Sequence, residues 1–248
     1  MTYSFVFPQG RACFSFSGKL PRFRSLNGPD VLLLCGGRSP SEEWLQRIAS
    51  EKTIYCADSG ADICKTIDLL PDFFVGDGDS VHSETLEWLR ENRVPCTFLP
   101  REKDETDFQV ALSLLASLKG PMRSLIVSGI WGGRFDHLYS ALFTSVGFLI
   151  RKKLPLFTFG DSREMLFFLC SEESLKLEFS GSLPGVFSLF PLTEECRGVT
   201  SRGTKWDLES VTLRQRYPYA ISNEILLEGE ECAARVEQGI LGVYAWWG

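Results

Sequence analysis

Phe73-Phe74-Val75-Gly76-Asp77-Gly78-Asp79-Ser80 runs from a short apolar stretch straight into two carboxylates and two glycines. A parallel strand buried on both faces reads as such a continuous apolar run, and ligands of open α/β sheets collect beyond the carboxyl ends of the strands. Asp77 and Asp79 therefore leave the sheet where a ligand is expected. Alternate residues of an extended segment point the same way, so the two carboxylates can share one cation, while Gly76 and Gly78 permit a tight turn or a close approach. Paired acids suit a hard cation such as Mg2+, which takes oxygen ligands and commonly works with phosphates. The same residues also suit a polar turn that caps a helix beginning near Ser83.

Working outward, the neighbouring stretches repeat this rhythm. Val31 to Cys35 reads as a strand ending in Gly36-Gly37, and Ser39-Pro40-Ser41-Glu42 then offers Ser39 as N-cap, Pro at N1 and Glu at N3 of a helix with the apolar stripe Trp44, Leu45, Ile48 and Ala49. Thr53 to Ala57 is a second strand, running into Asp58-Ser59-Gly60-Ala61, and Ile63, Ile67 and Leu70 mark a helix that runs into Pro71. After the helix at Ser83, Pro95 to Leu99 is again a strand. In Arg101 to Gln109 a charged loop leads to a capping box, Thr106 as N-cap with Gln109 at N3, which puts Asp107 in the first helical turn, where the helix dipole favours an anion. Ser124 to Ser128 leads into Gly129-Ile130-Trp131-Gly132-Gly133-Arg134-Phe135-Asp136-His137, a Gly-rich turn with a guanidinium and an acid at a helix start, suited to a phosphate or ribose. Leu156 to Phe159 closes a strand-helix series that implies a mainly parallel sheet with right-handed crossovers.

After Gly160-Asp161 the rhythm changes. Leu175 to Phe179, Val186 to Phe190, Thr204 to Leu208, Val211 to Leu213 and Ile225 to Leu227 alternate or end in Gly, Pro and Asn, the signature of antiparallel strands in a sandwich or barrel. The expected organisation is an N-terminal extension of unknown role at 1–30, an α/β domain at 31–160 and an all-β domain at 163–248.

Composition narrows the function classes. The 248 residues are 44% hydrophobic and 23% charged, ordinary for a globular protein with a sizeable core. A net charge of -6 disfavours a general grip on nucleic acid, which needs clustered Lys and Arg. No uninterrupted apolar run approaches the ~20 residues of a membrane-spanning helix, so no membrane association is expected. The eight cysteines form no CxxC pair and lie mostly in apolar runs, which fits reduced core thiols in a cytoplasmic protein. Arg11, Lys19, Arg22 and Arg24, with no acid before Asp30, fit either a targeting peptide or an extension packed on the domain.

Five motifs in order carry a resemblance to the thiamin pyrophosphokinase (thiamin diphosphokinase) family: Ala57-Asp58-Ser59-Gly60-Ala61, Gly76-Asp77-Gly78-Asp79-Ser80, Lys103-Asp104-Glu105-Thr106-Asp107, Gly132-Gly133-Arg134-Phe135-Asp136-His137, and Gly203-Thr204-Lys205-Trp206-Asp207-Leu208 with Ser222-Asn223-Glu224. The family usually has Gly where Ser59 stands and a bulky residue where Gly78 stands. The fold this implies is α/β: a mainly parallel, Rossmann-like sheet with flanking helices, then a C-terminal antiparallel β-sandwich. The resemblance implies transfer of an intact diphosphate from ATP to the hydroxyl of thiamin, releasing AMP. Such chemistry rests on neutralising polyphosphate charge and aligning the reacting oxygens.

By the match, Asp58, Asp77, Asp79 and Asp107 are the catalytic carboxylates, with Asp77, Asp79 and Asp107 as Mg2+ ligands and Asp58 in support. Lys103, Thr106, Arg134 and Asp136 are matched to ATP binding. Trp206, Ser222 and Asn223 are matched to thiamin, in a β domain that helps form the vitamin pocket across a homodimer interface. A flat cationic ring suits an aromatic face, which Trp206 supplies. The alternatives are a Mg2+-dependent enzyme moving diphosphate to another small acceptor, and a regulator that binds nucleotide or thiamin without turnover.

Overall fold

The chain opens on a hairpin. Thr2–Phe7 (β1) pairs antiparallel with Gly10–Phe16 (β2) around Pro8 and Gln9, and alternate residues, Phe5, Phe7, Ala12 and Phe14, turn inward. In the computed structural model, which describes residues 2–16, 28–100, 102, 104–117, 122–151, 156–226 and 231–248, the chain divides into two units. One is Met1–Phe23 with Pro155–Gly248, and the other is Arg24–Leu154. Lys103, the basic residues Lys19, Arg22 and Arg24, and the end of the strand expected at 225–227 lie outside the described residues.

The second unit alternates strand and helix: Asp30–Leu34 (β3), Glu42–Ala49 (α1), Thr53–Ala57 (β4), Gly60–Thr66 (α2), Phe73–Gly76 (β5), Ser83–Glu91 (α3), Cys96–Phe98 (β6), Asp107–Ser117 (α4), Ser124–Ser128 (β7) and Phe135–Arg151 (α5). The strands run parallel in the order β7-β3-β4-β5-β6. The chain winds outward from β3 to β6 in one direction and returns to β7 on the other side of β3. That reversal opens a crevice at the carboxyl ends of β3 and β7, where doubly wound sheets take their ligands. Leu32, Leu33, Leu34, Ile126 and Val127 are fully buried, as a strand covered on both faces requires. At α1 the N-cap is Ser41, not the expected Ser39: Ser41 is extended and its Oγ accepts from Trp44 N at 3.4 Å.

The first unit is antiparallel. Its later strands are Leu156–Gly160 (β8), Glu164–Leu169 (β9), Glu173–Phe179 (β10), Val186–Pro191 (β11), Glu195–Arg202 (β12), Val211–Arg214 (β13), Glu231–Val236 (β14) and Leu241–Trp246 (β15). One sheet has the order β1-β2-β10-β14-β12-β13, and β11, β15, β9 and β8 pair in sequence in the other. Side chains of the two sheets meet around Phe167 of β9, whose ring lies 6.1 to 6.3 Å from those of Phe5, Phe7 and Phe14.

Leu156 to Phe159, expected to close the strand-helix series, is the strand β8, and within its unit it hydrogen-bonds antiparallel to β9. One expectation changes here. Thr204 to Leu208 is not a strand: only Thr204 bridges, to Ile225, and the chain then turns because the Asp207 carboxylate captures the Thr204 N–H at 2.9 Å. Among the described residues no helix is long and apolar enough to cross a membrane.

Candidate active site

Two loops at the carboxyl edge of the parallel sheet, after β3 and after β7, are laced together by their backbones. Cys35 N donates to Ser128 O at 2.8 Å, Gly37 N donates to Gly129 O at 2.7 Å, and Arg38 N donates to Trp131 O. Side chains would prevent this. A Cβ on Gly129, whose φ is +70°, would stand 2.0 Å from Cys35 O, and a Cβ on Gly36 would stand 1.8 Å from Ser59 Oγ. The loops after β3, β4 and β7 thus form one wall of a cavity of about 330 Å³ whose other side is the start of α4 and α5.

Asp58, Thr106, Asp107, Arg134 and His137 line this cavity together with Gly36, Gly37, Ser59, Gly129, Ile130 and Gly133. Thr106 and Asp107 are set by the capping box read from the sequence: Gln109 N donates to Thr106 Oγ1 at 3.2 Å, and Thr106 N donates to Gln109 Oε1 at 2.8 Å. Asp58 follows β4 in a left-handed conformation, φ +50°, with its N–H donated to Val75 O at 2.9 Å. Its Oδ1 is buried with no hydrogen-bond partner among the described residues.

Burial pushes the Asp58 carboxyl above the usual carboxylate range, and the charge of Asp107 adds to the effect. The Ser80 side chain opposes it by hydrogen bonding, Asp77 raises it further, and the Ser59 backbone opposes it. Asp107 also adds to the burial that pushes the Cys35 thiol up to about 12. Two further expected carboxylates, Asp77 and Asp107, therefore act electrostatically on Asp58. Asp79 is exposed, with its N–H donated to Asp77 Oδ1 at 3.0 Å, and neither Asp77 nor Asp79 lines the cavity. Among the described residues no three His, Cys, Asp or Glu side chains stand close enough to form a ready-made metal site.

Arg134 is exposed and chelated by Asp136, with Nε to Oδ1 at 3.1 Å and Nη2 to Oδ2 at 2.5 Å. This pairing raises the Arg134 pKa and lowers that of Asp136. Asp136 does not line the cavity; it fixes the residue that does. Gly36, Gly37 and Ser59 are lining residues that sequence reasoning did not assign to the site. The one local sign was the Gly36-Gly37 pair after β3, which reads as a tight turn and not as a site.

Trp206, Ser222 and Asn223 belong to the antiparallel unit. Trp206 is 56% exposed, and the Lys205 ammonium lies 4.7 Å from its ring centroid while pairing with Glu224 at 3.1 Å. Ser222 is exposed, with φ +60°, and donates its N–H to Ser188 Oγ at 3.0 Å.

Comparison with known proteins bears on both units. Residues 44–158 match the family model for the thiamin pyrophosphokinase catalytic domain, and residues 176–241 match that for the thiamin pyrophosphokinase vitamin B1 binding domain. Among solved structures, the fold is similar to that of thiamine pyrophosphokinase from Bacillus subtilis, with a TM-score of 0.75 and 17% identity over 88% of this chain and 99% of that one. It is also similar to that of thiamin pyrophosphokinase from Candida albicans, with a TM-score of 0.71 and 16% identity over 99% of both chains. The yeast enzyme gives a TM-score of 0.67 at 18% identity, over 90% of this chain and 88% of that one. At such identities the structures speak for the fold alone, but the two family models match in order and together span most of the sequence: the chain belongs to the thiamin pyrophosphokinase family.

Proposed function

We propose that the chain transfers diphosphate from ATP to thiamin at the carboxyl edge of its parallel sheet, with the vitamin held by the antiparallel unit. One observation carries the placement: backbone-lined glycine loops, a helix start and mutually repelling carboxylates surround one cavity at the sheet's switch point. In the reaction the thiamin hydroxyl oxygen bonds to the β-phosphorus of ATP, the bond from that phosphorus to the oxygen shared with the α-phosphorus breaks, and AMP leaves.

The residues fit Mg2+. The aspartates offer oxygen donors, and the orphaned Oδ1 of Asp58 beside Asp107 and Asp77 is a buried acceptor that a hard cation would satisfy. Asp77, Asp79 and Asp107 would hold the ion and Asp58 would support it; when bound, it would offset charge on the polyphosphate. Thr106 offers its hydroxyl and the N–H groups of the α4 start to phosphate, Lys103 and Arg134 supply cations, and Asp136 orders Arg134. Trp206 gives thiamin an aromatic face, with Ser222 at the same site and Asn223 bonded to the Trp206 backbone behind it.

The finer description that accords with this division of labour is a Rossmann-like ATP and metal domain over 31–160 and a β-sandwich for vitamin binding and dimerisation over 163–248, with the 2–16 hairpin joined to the latter. Reduced cysteines suit a cytoplasmic enzyme. The active unit is a homodimer whose sites are shared between copies. Exposed Trp206, Tyr217 and Tyr219 on one unit favour such an interface, and closed two-fold pairing is the commonest way for two copies to share a site.

Subunit mixing tests this arrangement. Asp107→Asn should lose activity more than about 100-fold, beyond the loss typical of an outer-shell partner of a metal. Trp206→Ala should be silent at low thiamin. Mixed under conditions where subunits exchange, the two should regain activity, because one of the two sites in a heterodimer is intact. No recovery despite demonstrated exchange, or an active monomer by sedimentation, contradicts the shared site.

A further inference from the structure

We propose that Thr204, Asp207 and Asn223 are positioning residues that hold Trp206 ready for thiamin, acting through the indole and not by touching the vitamin; this rests on the reading of Trp206 given above. The turn that carries Trp206 is closed from both sides. Gly203 takes φ +80°, Lys205 N donates to Glu224 O at 2.9 Å, and Leu226 N donates to Gly203 O at 3.0 Å.

Asn223 lies across this turn. Its Nδ2 donates to Trp206 O at 2.9 Å and to Thr204 Oγ1 at 3.1 Å, while its Oδ1 accepts from Trp206 N at 3.2 Å and from Glu224 N at 2.9 Å. A primary amide has two N–H donors and two acceptor lone pairs, so all four are engaged. Turning the amide over would set its NH2 against two backbone N–H groups, which fixes its orientation. The backbone of Asn223 is also committed, its N–H to Phe187 O at 2.8 Å and its C=O to Phe187 N at 2.9 Å. The Asn223 side chain grips both main-chain polar groups of Trp206 and has no hydrogen-bonding capacity left for a ligand.

Thr204 extends the grip inward. It is 2% exposed and beyond reach of a bound molecule, yet its hydroxyl accepts from Asn223 and donates to Asp207 Oδ1 at 2.8 Å. The same carboxylate oxygen accepts the Thr204 N–H at 2.9 Å. Amide, hydroxyl and carboxylate thus form one chain fastening residues on either side of Trp206. An exposed indole held this way loses less freedom when a flat ring stacks on it.

Steady-state kinetics of the full-length enzyme test the proposal. Thr204→Val should raise KM for thiamin roughly 3- to 10-fold, the scale of re-ordering one large side chain. Its kcat and its KM for ATP should stay within about 2-fold, the split expected when only ground-state binding of one substrate is weakened. Thr204→Ser should restore the KM. Asp207→Asn, on the exposed side of the turn, should show the same split, and it reads the coupling if Thr204→Val melts below the assay temperature. In a Trp206→Ala background neither change should raise KM further. If Trp206→Ala itself leaves KM for thiamin unchanged, the reading of Trp206 fails and the proposal with it. If Trp206→Ala raises KM but neither partner change does, or if both raise it equally without the indole, the positioning role is overturned and the reading of Trp206 stands.

Discussion

Asp58 combines a left-handed backbone with a carboxylate pushed out of its comfortable range by burial and by Asp107. Such strain is retained where the surrounding structure holds it for use. Its raised pKa fixes a sign. Between the ordinary carboxylate value and the raised one, the folded chain holds a proton that the unfolded chain has released, so stability falls as pH rises through that window and the deficit is complete above it. In the absence of divalent cations and nucleotide, Asp58→Asn should therefore melt higher than wild type at pH 7 and lose that advantage at pH 3. A lower melting temperature at pH 7, or a gain that persists at pH 3, contradicts the account. Asp58 and Asp107, the two expected acids that line the cavity, were legible as residues because one leaves an apolar run and the other follows the cap of a capping box. Gly36, Gly37 and Ser59 were not, because their part is to let backbones touch, and contact between loops distant in sequence leaves no local signal.

Among the elements, those with paired local signals were readable. Thr106 and Gln109 bond to each other as their spacing requires, which sets Asp107 at a helix start. At α1, Pro40 drew the reading to Ser39 as the cap, whereas the cap is Ser41. The hairpin of β1 and β2 carried a period-two pattern, Phe5 and Phe7 across Pro8-Gln9 from Ala12 and Phe14, while the basic residues in and after it fitted a targeting peptide or an extension packed on the domain. In the fold it joins the antiparallel sheet. β2 pairs with β10 from Phe16↔Glu173 to Gly10↔Phe179, and Phe14 is fully buried against Phe167. Phe14→Ala should cost about 3–5 kcal/mol of unfolding free energy, measured by urea denaturation. A loss below about 1 kcal/mol, the level of a surface substitution, would mean the hairpin is not part of the core.

At the scale of the whole molecule, the strand order β7-β3-β4-β5-β6 explains why motifs from 58 to 134 converge although they are scattered along the chain: each ends a parallel strand or starts the next helix at one edge of one sheet. The alternation of strand and helix made this class of sheet readable, whereas the pairing of β8 with β9 depends on a partner eight residues downstream and was not. A chain of net charge -6 that gathers aspartates where an anionic nucleotide is to sit works only if cations offset both. The central claim is that an intact diphosphate moves from ATP to thiamin. ATP labelled at its β-phosphorus, incubated with the enzyme, Mg2+ and thiamin, tests it most directly. The account predicts label in thiamin diphosphate and unlabelled AMP in equal amount; labelled ADP with thiamin monophosphate, or no labelled vitamin at all, would contradict it.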